Sequence, residues 1–399
     1  MRDTLQQIVD SGQLAGAATL VWKNGAARTT CFGWRDIERK LPVERDTIFR
    51  IASMTKPITS VAALMLVDEG SIALSDPITR YAPEFSRMRV LRSPGGPLDE
   101  TDLAERLITF EDLLTHRAGL TYGSFHRGPI SQAYREALGG DIDSHVAPDD
   151  WIMRLSQLPL IYQPGAMMSY GCATDLLGFL IARIKGEPLH AVLRRRIFDP
   201  LGMKDTGFLV PADQRARRAA AYGFNDEEQL VKRTTWNGVV VEERPAEMTY
   251  ESGGQGLWST VDDYLRFARL FVGDGSVDGV RLLRPQILAQ MMTNQLSDAQ
   301  RASSVLLGQR PFAAGRGFGL GVSVVLETCT SDLMRRGGVG TVSWPGAFGG
   351  WWQADPNDGS VLIFLAHNMV ELAQMAKGVG LGVWAAIEVF QRSAEDSQA

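Results

Sequence analysis

The 399-residue chain has little cysteine, no surplus of basic charge and no long apolar run. Three cysteines, Cys31, Cys172 and Cys329, are too few and too scattered for a disulfide framework or a zinc site. A formal net charge of −5 argues against nucleic acid as a partner. The longest apolar run, Val61 to Val67, is far too short to span a membrane. The N-terminal stretch from Met1 to Asp10 is polar-amphipathic and lacks the apolar centre of a signal peptide. Five histidines (His116, His126, His145, His190 and His367) show no metal spacing and give a Ser–His–Asp triad no local support. No Gly-x-Ser-x-Gly occurs, which excludes the nucleophile elbow of an α/β-hydrolase. Internal repeats and low-complexity tracts are absent, and nothing calls for a cofactor. Residues of hydrophobic type make up 45%, enough for a large core in one or two domains. These properties describe a soluble, cytoplasmic enzyme or binding protein, with the oligomeric state left open.

What is present centres on Ile51-Ala-Ser-Met-Thr-Lys-Pro57 and the apolar segment that follows it. Ser53 and Lys56 are three residues apart, so a helix places hydroxyl and amine on one face. Pro57 suits the first turn, where a missing N–H costs little. From Ile58 to Val67 no polar stripe interrupts the apolar residues, which predicts a helix buried all round. Gly70 suits the left-handed position after its end. A nucleophile at the mouth of such a helix is rigidly held, and the helix dipole favours negative charge developing there. A plainer reading has Ser53 as a cap and Lys56 in solvent. Ser-x-x-Lys arises by chance about once in a chain this long, so the pair needs a third group.

Along the chain, residues 3–11 suit an amphipathic helix. Ala17–Trp22 and Ala27–Trp34 read as a hairpin around Lys23-Asn-Gly25. Thr109-Phe-Glu-Asp112 is a capping-box-like helix start, and residues 120–150, rich in Gly, Asp and Ser, read as a long irregular rim. Helices are expected at Trp151–Leu160, Cys172–Ile184, Leu189–Phe198, from a capped start at Ser259-Thr-Val-Asp262 to Val272, at Pro285–Asn294 and Leu372–Phe390, and a disordered tail from Ser393. Short strands and loops are expected over residues 205–250. Strand candidates are Gly317–Val325, Thr341–Trp344, Trp351–Ala354 and Val361–Ala366. With strands at both ends and helices between, the expected fold class is α/β (α+β), an antiparallel sheet assembled from both termini. The expected organisation is a discontinuous sheet domain, 1–75 plus 300–399, a mainly helical domain, 76–299, and an active site between them.

Met168-Ser-Tyr-Gly-Cys172 supplies the third group, Tyr170, on a loop before an apolar helix. A phenolate can take a serine proton, and a neighbouring ammonium stabilises it. The ordered set Ser53-Met-Thr-Lys56, Tyr170-Gly-Cys172 and Trp344-Pro-Gly346 resembles the serine β-lactamase and penicillin-binding-protein superfamily. Within it the chain looks most like class C β-lactamases and family VIII carboxylesterases. Further matching stretches are Phe49–Pro57, Ile108–Leu120, Pro164-Gly165 and Gly253–Thr260. The resemblance implies a β-lactamase-like fold, Ser53 as the acylated nucleophile, Lys56 and Tyr170 as its base system, and an oxyanion hole from the N–H groups of Ser53 and Ala347. It leaves open which of Lys56 and Tyr170 takes the serine proton. Gly346 would let substrate approach the strand backbone closely.

Two departures from the β-lactamase pattern bear on substrate. The residue two after the tyrosine is usually Asn and here is Cys172, and the third motif usually opens with Lys and here opens with Trp344. Both changes remove β-lactam recognition and leave acyl transfer intact. Phe348, Trp351, Trp352 and Trp258 lie near motif positions and, with Trp344, are candidates for an apolar acyl pocket, against ordinary core packing. His116 is read as structural, and His126 in the rim as a candidate substrate contact. The expected function is a serine carboxylesterase acting on a small-molecule ester without metal or cofactor. An acyltransferase is its nearest variant, a β-lactamase or D-amino-acid peptidase the runner-up, and an inactive binding relative the non-enzyme alternative.

Overall fold

The computed structural model describes all residues except 1, 237–238, 241–243, 245–247, 307–308, 370, 376 and 397–399. Both termini contribute to one sheet. Strands β1 (Gly16–Lys23), β2 (Ala26–Asp36) and β3 (Leu41–Pro42) come from the start of the chain. Strands β4 (Arg316–Phe318), β5 (Ser323–Val325), β6 (Val342–Pro345), β7 (Trp351–Asp355) and β8 (Ser360–Ala366) come from its end. Their order across the eight-stranded sheet is β4-β5-β6-β7-β8-β1-β2-β3, antiparallel throughout. The termini therefore meet at its centre, with Ala17 opposite Ala366 and Leu20 opposite Ile363. The stretch 317–325 is not one strand. It folds into the β4–β5 hairpin, because Gly319 and Gly321 allow a tight return with Gly319 donating its N–H to Val322.

β8 is buried along its whole length because both faces are covered. Leu362, Phe364 and Ala366 face α1 (Arg2–Asp10) and the C-terminal helix (Gly382–Asp396), packing with Leu5, Ile387 and Phe390. Val361, Ile363 and Leu365 face the main core. The closing helix expected over Leu372–Phe390 is two segments, Leu372–Met375 and Gly382–Asp396, with a turn through 377–381 between them. The second helix carries on through residues 393–396, which were expected to be disordered, and the rest of that tail lies outside the described residues.

In the middle of the chain, α2 (Thr55–Asp68) is the central helix, with every residue from Thr55 to Leu66 buried. Gly70 follows it at φ 70°, as the sequence predicts. α3 (Phe110–Leu114) begins with the expected capping box, Thr109 and Asp112 each bonding the other's backbone N–H. Replacing Thr109 by Ala is expected to cost about 1 kcal/mol, read as a lower urea midpoint. The rim between 120 and 150 is more regular than expected. It contains α4 (Pro129–Leu138), and α5 begins at Pro148 and runs to Ser156, with proline starting both helices. α6 (Ala173–Lys185) ends on Gly186 in the left-handed conformation. α7 (Val261–Ala268) is capped by the Thr260 side chain and packs on β1 and β8, so this part of the middle segment joins the sheet layer. Among the described residues no helix is long and apolar enough to cross a membrane.

Candidate active site

Ser53 lies in a 3₁₀ turn, Ala52–Met54, that runs directly into α2. Ala52 holds φ 44°, a left-handed conformation that costs a non-glycine residue on the order of 1–3 kcal/mol. Surrounding bonds hold the turn. Ile51 donates its N–H to Leu257 at 2.9 Å, Leu257 its own to the Thr55 hydroxyl at 3.2 Å, and the Tyr264 hydroxyl bonds the Met54 carbonyl at 3.0 Å. Ser53 is neither a cap nor exposed, and Lys56 is 1% exposed, which rules out the solvated reading of the pair.

A buried ammonium must be hydrogen-bonded. Lys56 Nζ lies 3.5 Å from Ser53 Oγ and donates to the Tyr122 hydroxyl at 3.1 Å and the Gly254 carbonyl at 3.0 Å. It also sits over two aromatic faces, 4.6 Å from the Tyr170 ring centre and 5.2 Å from that of Tyr122. Tyr170 is therefore at the site. Its hydroxyl accepts from the Trp344 indole N–H at 3.3 Å, and the contact with Lys56 is through the ring face. Phe125 stacks on Tyr170 at 5.7 Å between ring centres. His116 packs against Tyr170 at 4.7 Å. Burial and the nearby Lys56 charge push the His116 pKa well below its usual value, so it is a neutral packing partner.

Tyr122, Asp175 and Gly254 are site residues that motif reasoning passed over. Tyr122 comes alongside Tyr170 because the loop that carries it is bonded to the tyrosine loop, Cys172 N–H to the Thr121 carbonyl at 3.4 Å. The Tyr122 hydroxyl donates to Asp175 Oδ2 at 2.9 Å. Burial raises the Tyr122 pKa well above 10, with Asp175 adding to the effect, so this phenol keeps its proton. Gly254 packs so closely that a Cβ there would lie 2.6 Å from Asp175 Oδ2 and 2.8 Å from the Tyr122 hydroxyl.

The β6 side of the site is equally close-fitting. β6 packs against the Ser53 turn, and a Cβ on Gly346 would lie 2.4 Å from the Ile51 carbonyl oxygen. Gly346 donates to Gly350 at 2.7 Å, turning the chain so that Ala347 is exposed on the rim of the strand. Trp344 is 2% exposed and contacts Tyr170 and Phe318 at 5.3 and 5.2 Å between ring centres.

Other candidate contacts fall elsewhere. Trp351 is corrected: strand alternation points it to the opposite face of the sheet, among Leu5, Phe364 and Phe390. Trp258 stands between the guanidinium groups of Arg50 and Arg218, 5.6 and 5.7 Å from its ring centre, and beside His367. Phe348 packs with Ala52, Ile142 and Met369, one residue removed from Ser53. Cys172 is a buried residue at the start of α6, and burial pushes its thiol pKa well up, so it stays neutral. His126 is half-buried in the rim. Among the described residues no cluster of His, Cys, Asp and Glu could hold a metal ion.

A family model described as Beta-lactamase matches residues 1–379. An uncharacterized protein of Mycobacterium tuberculosis is 45% identical over 372 residues, 93% of this chain and 90% of that protein. Esterase EstB of Burkholderia gladioli is 30% identical over 378 residues, 92% of this chain and 89% of its own length. The solved structure of EstCE1, described as a hydrolase with promiscuous acyltransferase activity, matches at a TM-score of 0.77 and 24% identity. That match covers 97% of each chain and shows a shared fold.

Proposed function

The chain belongs to the β-lactamase family, and from that premise we propose that it is a serine esterase cleaving small carboxylic esters through an acyl-enzyme on Ser53. The Ser53 hydroxyl attacks the ester carbonyl, and its proton passes to the Lys56–Tyr170 pair. The N–H groups of Ser53 and Ala347 hold the oxyanion. Collapse of the tetrahedral intermediate expels the alcohol, which takes up that proton. Water then repeats the sequence on the acyl-enzyme and releases the acid. Acyl transfer to another acceptor would use the same intermediate, with the acceptor in place of water.

The observation that carries this reading is the placement of one nucleophile beside one buried ammonium, Ser53 Oγ 3.5 Å from Lys56 Nζ, under an aromatic wall. Trp344 opens the motif in which the β-lactamase resemblance implies a lysine, and its indole is turned onto Tyr170. The wall favours an apolar substrate group over a carboxylate. Similarity to an esterase over nearly the whole chain supports the same choice. The groups come from both parts of the chain: Ser53, Lys56 and Trp344 from 1–75 and 300–399, Tyr122, Tyr170, Asp175 and Gly254 from 76–299. We accordingly place the reaction between those two parts.

The test is turnover of p-nitrophenyl acetate and butyrate. Many turnovers per enzyme are expected from both. Release no faster than in buffer would contradict the reading.

A further inference from the structure

We propose that Asp175 is a positioning residue: acting through the Tyr122 hydroxyl and the Gly254 backbone, its carboxylate holds the Lys56 ammonium at Ser53 and sets the pH range of the reaction. The inference rests on the reading of Ser53 and Lys56 given above.

Asp175 is fully buried at the start of an otherwise apolar stretch of α6, beside Leu176, Leu177 and Phe179. A carboxylate is costly in that place unless donors and a counter-charge meet it. Three donors converge on it: the Tyr122 hydroxyl at 2.9 Å, the Gly254 N–H at 3.1 Å and the Ser252 hydroxyl. Their direction is determined by what lies behind them. Lys56 as an ammonium can only donate, so Tyr122 accepts from it at 3.1 Å and must turn its own proton to Asp175. Ser252 accepts the Gln255 N–H at 2.8 Å and likewise has its proton left for the carboxylate.

Gly254 makes a second bridge. Its carbonyl accepts from Lys56 at 3.0 Å while its N–H donates to Asp175. The result is a closed ring from Lys56 through Tyr122 to Asp175 and back through Gly254, with the one cation and the carboxylate at opposite sides. The other ionisable groups facing this ring are Tyr170, Cys172, Tyr250 and His116, with Asp141 and Asp143 behind Cys172 and Tyr250. Of these Asp143 is engaged with Arg50 at 2.5 Å, and burial keeps Cys172, Tyr250 and His116 neutral. Burial also raises the Asp175 pKa, while Lys56 and the three donors oppose that rise. Lys56 and Asp175 thus support each other's charge.

The experiment measures the pH dependence of kcat/KM for p-nitrophenyl butyrate in the wild type, Asp175→Asn and Tyr122→Phe. A carboxylate favours the ammonium on Lys56 and disfavours a phenolate on Tyr170. Its removal withdraws that attraction and that repulsion, so both limbs of the profile should move to lower pH by on the order of one unit. A merely structural role would lower the plateau and leave the limbs in place. Limbs that superimpose on the wild type, in a folded Asp175→Asn, overturn the inference. Tyr122→Phe breaks one bridge and keeps the charge, so kcat should fall by about tenfold with the limbs unmoved. Wild-type kcat in Tyr122→Phe overturns the relay even where Asp175→Asn does not fold. Modification of wild-type Ser53 by an organophosphonate is measured in parallel. Its absence is a failure of the function reading, and its presence with unmoved limbs is a failure of this inference alone.

Discussion

Ser53→Ala, Lys56→Ala and Tyr170→Phe are each expected to lower kcat on ester substrates by on the order of 10³-fold or more. The three groups act as a unit. In the proposed reaction Ser53 supplies the attacking oxygen, and Lys56, 3.5 Å away, is the only ammonium hydrogen-bonded to it among the described residues. Tyr170 presents its ring to that ammonium at 4.6 Å, and the same ring is packed by His116 and Phe125. Removing any one leaves the oxyanion donors and the binding wall without a proton-transfer path. The double variant Lys56→Ala with Tyr170→Phe should cost little beyond either single change, because the second loss falls on a path already broken. Circular dichroism checks the fold of each variant, Lys56→Ala above all, since it leaves Tyr122 and Asp175 without their cation. Near-wild-type turnover in a folded Tyr170→Phe would move the base role to Lys56 alone.

The second large effect is selectivity. Short-chain esters are expected to exceed β-lactams in kcat/KM by about 10- to 10⁴-fold. A β-lactam brings a carboxylate and a side-chain amide that lose water on binding. Trp344 offers the carboxylate an indole already bonded to Tyr170, and Cys172 offers the amide a buried neutral thiol. Polar groups left unpaired cost roughly 1–3 kcal/mol each. An acetate or butyrate ester carries neither group. The measurement compares p-nitrophenyl acetate and butyrate with a chromogenic cephalosporin at one pH. Ring opening as fast as ester cleavage would contradict the account, whereas loss of the cephalosporin's acetyl ester with its ring intact would support it.

Much of this molecule was legible because its signals are local. The Asn24-Gly25 turn, the Thr109–Asp112 box and Gly186 are each read from a few adjacent residues, and all three stand where the sequence places them. The apolar run after Lys56 likewise predicts the burial of α2. Sheet face was harder to read. Trp351 and Trp352 are neighbours in sequence, and only strand register decides that Trp351 joins the terminal helices while Trp352 packs on Tyr264 and Phe271. Trp258 and Phe348 lie near motifs in sequence, but the fold turns them towards Arg50 and His367.

The Lys56–Asp175 ring was missed because its members are 119 residues apart in the chain (175 − 56) and meet only through tertiary contacts. A signal did exist. Asp175 is the single charged residue between Cys172 and Ala182, in a segment that is otherwise buried, and a lone acid in such a helix has to find partners. Tyr122 and Gly254 each stand in or beside stretches that carry the family resemblance, Ile108–Leu120 and Gly253–Thr260.

The central claim is that the chemistry passes through a covalent bond to Ser53. Treatment with an organophosphonate followed by peptide mass mapping tests it most directly. The account predicts one added phosphonyl group per chain, located on Ser53, with ester turnover lost in proportion to labelling. A label on any other serine, or full turnover after Ser53 is modified, would contradict it.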